Sequence, residues 1–114
     1  MFEEKMKLQA DKVGRLMARL NWTPNKFADA INVEIEEAYK LLSGKPVNYY
    51  TAQAFIEYFK APFAGALIDF AGMGIEPPKF LKLQAVSDDA LFGSIAMNIR
   101  DLEKEVLPHG SKRN

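Results

Sequence analysis

Between Thr23 and Lys45 the chain reads TPNKFADAINVEIEEAYKLLSGK, and the order of capping, apolar and turn residues there leaves few ways to fold. Thr23 can accept a backbone N–H as an N-cap, and Pro24 fits the first helical position, where its missing donor has no partner to lose. A helix is therefore predicted from about Pro24, with Phe27, Ala28 and Ile31 sharing its buried side. Ala28 matters for its smallness: where two helices cross steeply through a short connection, a bulkier side chain would hold them apart. Asn32 tolerates a left-handed backbone and takes the closing position that glycine usually fills. Val33 follows as a buried turn residue. A second helix is predicted from about Glu34 to Ser43, with Ala38, Leu41 and Leu42 facing inward and Gly44 as its stop. Ile35 is left over from that inward set.

The flanking sequence extends this helical pattern. From Glu3 to Leu20, Met6, Ala10, Val13, Met17 and Leu20 recur at intervals of three and four, with Leu16 widening the stripe, which predicts one long amphipathic helix facing a core. Trp22 is expected to pack beneath the turn that follows. After Lys45-Pro46 a short loop leads into Tyr49, Tyr50 and a fourth helix in which Ala52, Phe55, Ile56 and Phe59 form one face. Pro62 interrupts it, and Phe63 to Phe70 reads as a further short helix ending near Gly72 or Gly74, with Phe63, Leu67 and Phe70 on one side. Gly72, Gly74 and Pro77-Pro78 mark a break.

Beyond the break, Phe80 to Val86 shows partial alternation and reads as a short extended segment, too isolated to make a sheet unless it pairs with its copy in a partner. Ser87, Asp88 and Asp89 provide a cap and an acidic first turn for a last helix running to about Leu107, where Pro108 stops it. Leu91, Ile95, Ile99, Leu102 and Val106 make its apolar stripe. That stripe needs a surface, either the fourth and fifth helices or a second subunit. The tail from about His109 is read as disordered.

Phe27-Ala28, Ile31, the Asn32-Val33 turn, Ala38, Leu41 and the Ser43-Gly44-Lys45 ending resemble the lambda-repressor-like helix-turn-helix domains of the Cro and phage-repressor type. A preceding helix ending near Leu20-Asn21-Trp22 and a following one around Thr51 to Lys60 match that family's helical order, so the resemblance covers about half to two-thirds of the chain. The sequence departs from the family's usual pattern at Asn32, often glycine there, and at Glu34, often a small hydroxyl residue. The fold implied is all-α: a compact lambda-repressor-like domain with a helix-turn-helix over residues 1–72, and a C-terminal helical extension over 73–114. The function implied is that of a small DNA-binding transcription regulator of phage or mobile-element type, acting on double-stranded DNA. A homodimer through residues 80–107 suits it, because many such readers recognise paired half-sites.

By the same resemblance Ile35, Glu36 and Lys40 face base edges, with Glu34 and Glu37 beside them. Glu36 could accept from a cytosine amino group, Lys40 could donate to guanine or a phosphate, and Ile35 could touch a thymine methyl. Lys26 and Lys45 flank that helix as backbone contacts, joined by Arg15 and Arg19, with Lys12, on the N-terminal helix.

Charge weighs against this reading. The 15 Lys and Arg of the chain balance 15 Asp and Glu, whereas a DNA binder usually carries a basic excess. Residues 1–20 do lean positive, with Lys5, Lys7, Lys12, Arg15 and Arg19 against Glu3, Glu4 and Asp11. Residues 21–60 lean negative, with Lys26, Lys40, Lys45 and Lys60 against Asp29, Glu34, Glu36, Glu37 and Glu57. Carboxylates brought within a Debye length, about 8 Å, of phosphates are repelled unless cations elsewhere offset them. An alternative keeps the helix pair and drops the DNA: the acidic helix serves as a surface for a protein partner.

Other classes find little support. Without cysteine there are no disulfides, thiolate metal sites or thiol nucleophiles, and His109 is the one histidine, which removes histidine-centred triads and multi-histidine metal sites within one chain. The carboxylates at Asp29, Glu34, Glu36 and Glu37 read as a solvated helix start rather than a cation site. Gly72-Met73-Gly74 lacks the strand, helix and lysine of a phosphate loop. No enzyme activity, cofactor or metal is expected. With no signal-peptide pattern or bilayer-spanning apolar run, a soluble cytoplasmic protein is expected.

Overall fold

The computed structural model describes residues 6–79 and 87–112, the side chains of Ala61 and of residues 105–112 excepted. Among the described residues the fold is all-α, with seven helices and no strand. Two compact units divide the chain, Met1–Gln84 and Ala85–Asn114.

In the first unit α1 (Ala10–Leu20), α2 (Pro24–Ile31), α3 (Ile35–Leu42), α4 (Tyr49–Phe59), α5 (Ala61–Leu67) and α6 (Phe70–Met73) follow one another through short connections. Most of these helices end in the same way. Past α1, Asn21 takes a left-handed backbone (φ 61°), and the N–H of Trp22 reaches back to the Met17 carbonyl at 3.0 Å. Asn32 does the same after α2 (φ 64°), with Val33 N–H donating to Ala28 at 3.0 Å, and Gly44 after α3 (φ 76°), with Lys45 N–H donating to Lys40 at 2.9 Å. Each closure satisfies carbonyls that a helix end otherwise leaves bare. Gly44 is also sterically constrained, because a Cβ there would stand 3.3 Å from the Ala10 Cβ and 3.5 Å from the Leu8 carbonyl oxygen.

The core of this unit is aromatic and aliphatic. Phe27, Phe55 and Phe59 are buried together, with ring centroids 6.5 Å apart for Phe27–Phe55, 6.4 Å for Phe27–Phe59 and 4.8 Å for Phe55–Phe59. Val13 and Leu16 of α1, Ala28 and Ile31 of α2, and Ala38 and Leu41 of α3 join it. Trp22 is half-buried against Phe27 and Tyr58, at 6.5 and 6.3 Å between centroids. It thus packs beside the turn between the first two helices.

The expected long helix from Glu3 is corrected on its described part: α1 starts at Ala10, and residues 6–9 are extended. Met6 makes an antiparallel bridge with Val47, and Leu8 one with Ile68. Backbone bonds tie the segment down, from Val47 N–H to Met6, Asp69 N–H to Lys7, and Gln9 N–H to Leu67 (2.9, 2.8 and 2.9 Å). The Gln9 side-chain amide adds two more, to the carbonyls of Ala66 and Ile68 at 3.0 and 3.1 Å. Extended backbone wins here because it buries both Met6 and Leu8 while pairing polar backbone groups of Met6, Lys7 and Gln9 with distant chain.

That pairing also divides the single helix expected over Phe63 to Gly72. Ile68 leaves helical geometry (ψ 142°) to meet Leu8, so α5 ends at Leu67 and α6 begins at Phe70, capped by Asp69, whose carboxylate accepts from Gly72 N–H at 2.9 Å. Pro62 sits within the first turn of α5, where a missing N–H is harmless. The break before it falls at Lys60, whose φ of 77° and ψ of 152° lie in a region that is essentially glycine's and costs of order 1–3 kcal/mol. Two bonds hold it there: Lys60 N–H to Ile56 at 2.9 Å, and Ala64 N–H to the Lys60 carbonyl at 2.8 Å.

The second unit contains α7 (Asp88–Lys112). Ser87 caps it as expected, its hydroxyl accepting from Ala90 N–H at 3.1 Å. The helix continues past Pro108 to Lys112, which corrects the expected stop near Leu107. Proline interrupts one hydrogen bond and bends a helix without having to end it. The extended reading of Phe80–Val86 lies outside the described residues, as do Arg113 and Asn114.

Candidate nucleic-acid interface

Of the residues singled out by resemblance, Lys26, Glu34, Ile35, Glu36, Glu37, Lys40 and Lys45 lie on or next to the α2–α3 pair, which packs together more extensively than any other helix pair in the first unit, while Arg15 and Arg19 lie on α1. Thr23 holds the start of α2 by accepting Lys26 N–H at 3.1 Å, and three residues, Asn32 to Glu34, separate the helices. Val33 is half-buried rather than fully buried. With Ala38 and Leu41 turned into the core, α3 presents Glu36, Tyr39 and Ser43 outward, and all three are exposed. Ile35 and Lys40 flank that stripe half-buried. Glu34 stands at the N-cap without a side-chain cap bond, as its length predicts, while Thr23 and Asn48 cap α2 and α4.

The charged candidates differ in their surroundings. Lys26 is exposed, with its ammonium 5.5 Å from the centre of the Trp22 ring, within reach of a cation–π contact. Lys45 is exposed just past Gly44, and Arg15 and Arg19 are exposed on α1. Lys12 has a structural partner, since its ammonium donates to the Ala66 carbonyl at 3.2 Å near the end of α5. Lys40 is paired with Glu37 one turn earlier, Nζ to Oε2 at 3.2 Å. The other Glu37 oxygen accepts the hydroxyl of Thr51 on α4 at 2.9 Å.

Sequence reasoning misses three of these features. Tyr39, 56% exposed, is recoverable, since fixing Ala38 and Leu41 inward turns residue 39 outward. Tyr50, 81% exposed at the start of α4, lies at the edge of the same region. The Thr51–Glu37 bond joins residues on different helices and leaves no local signal.

Beside the outward stripe a groove of about 770 Å³ runs between α2, the start of α3 and α4. Asp29, Glu34 and Glu37 line it together with Asn25, Asn32 and Asn48, and among the described residues no lysine or arginine does. The potential there favours cationic groups and repels phosphate. Among the described residues no group of three or more His, Cys, Asp or Glu side chains is placed to hold a metal ion, and no helix is long and apolar enough to cross a membrane. Compared with known proteins, the chain matches no family model, no curated protein and no solved structure.

Proposed function

We propose that the chain is a small helix-turn-helix transcription regulator of the lambda-repressor-like kind, of phage or mobile-element type, that binds double-stranded DNA as a dimer. The observation that carries this reading is the corner itself: two eight-residue helices meet at a left-handed Asn32, and the second presents Glu36, Tyr39 and Ser43 to solvent. A helix so exposed and so braced from behind has the form needed to enter a major groove. Glu36 accepts from a cytosine amino group, Ile35 meets a thymine methyl, and Lys40 donates from the flank. Lys26, Lys45, Arg15 and Arg19 supply the positive charge that offsets the carboxylates.

Titration of randomised and genomic duplexes at low salt tests it. Binding that weakens steadily as salt rises is expected, and no binding at low ionic strength eliminates the proposal. Glu36→Gln is expected to keep the fold and change base preference across a base-substituted target set. The solution mass of the intact chain tests the dimer.

The acidic groove favours a second reading, in which the same helix pair docks a basic segment of another protein. A lysine- and arginine-rich peptide that binds the chain when no duplex does would establish it.

A further inference from the structure

Resting on the DNA-binding reading, we infer that Thr51 and Glu37 are positioning residues that fix where Lys40 points, so that α4 sets the base discrimination of α3. Thr51 is the one polar side chain buried among the described residues, at 4% exposure. Its backbone is held by the Asn48 cap, which takes its N–H at 2.9 Å, and its β-branched side chain is restricted in a helix to two main rotamers. From there the hydroxyl donates to Oε1 of Glu37 at 2.9 Å, and Oε2 of the same carboxylate holds the Lys40 ammonium at 3.2 Å. Both carboxylate oxygens are engaged, one by each neighbour, which fixes the plane of the group. A lysine side chain is otherwise a charge on a flexible four-carbon stem, able to reach several bases or phosphates equally well. Anchored in this way it offers one direction, and its net attraction for phosphate is cancelled by its partner. Lys40 therefore contributes selectivity more than affinity, and Glu37, acidic and beside a polyanion, has a role that simple repulsion does not explain.

The experiment selects a preferred duplex for the parent chain from a randomised pool, then measures discrimination, the affinity for that duplex relative to the pool, at several salt concentrations. Thr51→Val, which removes the hydroxyl, is expected to reduce discrimination roughly tenfold while leaving the salt slope unchanged. Thr51→Ser, which keeps the hydroxyl, is expected to behave like the parent. Glu37→Gln still accepts from Thr51 but unpairs the cation, so binding to the pool is expected to tighten and the salt slope to steepen by about one. Discrimination by a folded Thr51→Val equal to that of the parent overturns the inference. If Thr51→Val does not melt cooperatively, an unchanged salt slope in Glu37→Gln overturns it instead. A parent chain that binds no duplex at low salt sinks the DNA reading and this inference together; a parent that binds, with variants that match it, sinks this inference alone.

Discussion

The α2–α3 corner and the extended segment at Met6–Gln9 lie side by side at Gly44, yet they are held by opposite means. Every bond that closes the corner joins residues at most five apart: Lys26 to Thr23, Val33 to Ala28, Lys45 to Lys40. The Gln9 amide reaches carbonyls 57 and 59 positions away. Local closures shape a helix end whatever surrounds it, whereas the long-range clamp exists only once α5 and α6 are in place. The difference teaches that the backbone of the surface proposed to meet DNA is shaped from within, even though the Lys40 side chain on it is anchored from α4, while the clamp ties the rest of the first unit together.

Substitutions can break that division. Leu8→Ala removes a fully buried side chain from the clamp and is expected to cost about 2–5 kcal/mol in urea unfolding; a cost below about 1 kcal/mol would mean the clamp is peripheral. Gly44→Ala strikes where the two regions touch, combining a positive φ with the 3.3 Å approach to Ala10, and a loss of about 1–3 kcal/mol is expected. Gln9→Ala takes the side-chain donor from the Ile68 carbonyl and leaves the Ala66 carbonyl to Lys12 alone, and should cost about 1–2 kcal/mol, with faster amide exchange in α5 and α6 than in α2 and α3. Equal acceleration in all four helices would show that clamp and corner open as one. Thr23→Ala removes one cap, and a loss of about 1 kcal/mol, with exchange increased at the start of α2, is the smallest effect expected.

The same contrast explains what the residues disclose beforehand. Thr23, Pro24, Asn32 and Gly44 act through neighbours within a turn, so their roles can be read from order alone. Met6 and Leu8 cannot be placed this way. Met6 fits a helical interval with Ala10 and Val13, and the alternation that marks extended backbone spans too few residues to compete. Ile68 falls within a predicted helix for a similar reason, since nothing around it announces a bridge to Leu8. In the candidate site the outward set on α3 follows from its inward set, so the exposure of Glu36 is legible in advance. The anchoring of Lys40 depends on Thr51, fourteen positions beyond Glu37, and only the packing of α4 reveals it.

The long reach of the Gln9 amide has a consequence for biosynthesis. A ribosome delivers the corner before it delivers Ala66 and Ile68, so the hydrogen bonds of α2 and α3 can form while Gln9 still waits for its acceptors. Val47 is delivered soon after the corner and can meet Met6, but until Ile68 emerges the extended backbone at Leu8 has no mate, and closing so wide a loop is the slower step. The nascent chain is therefore most vulnerable to aggregation in the interval between completing its corner and translating Ile68.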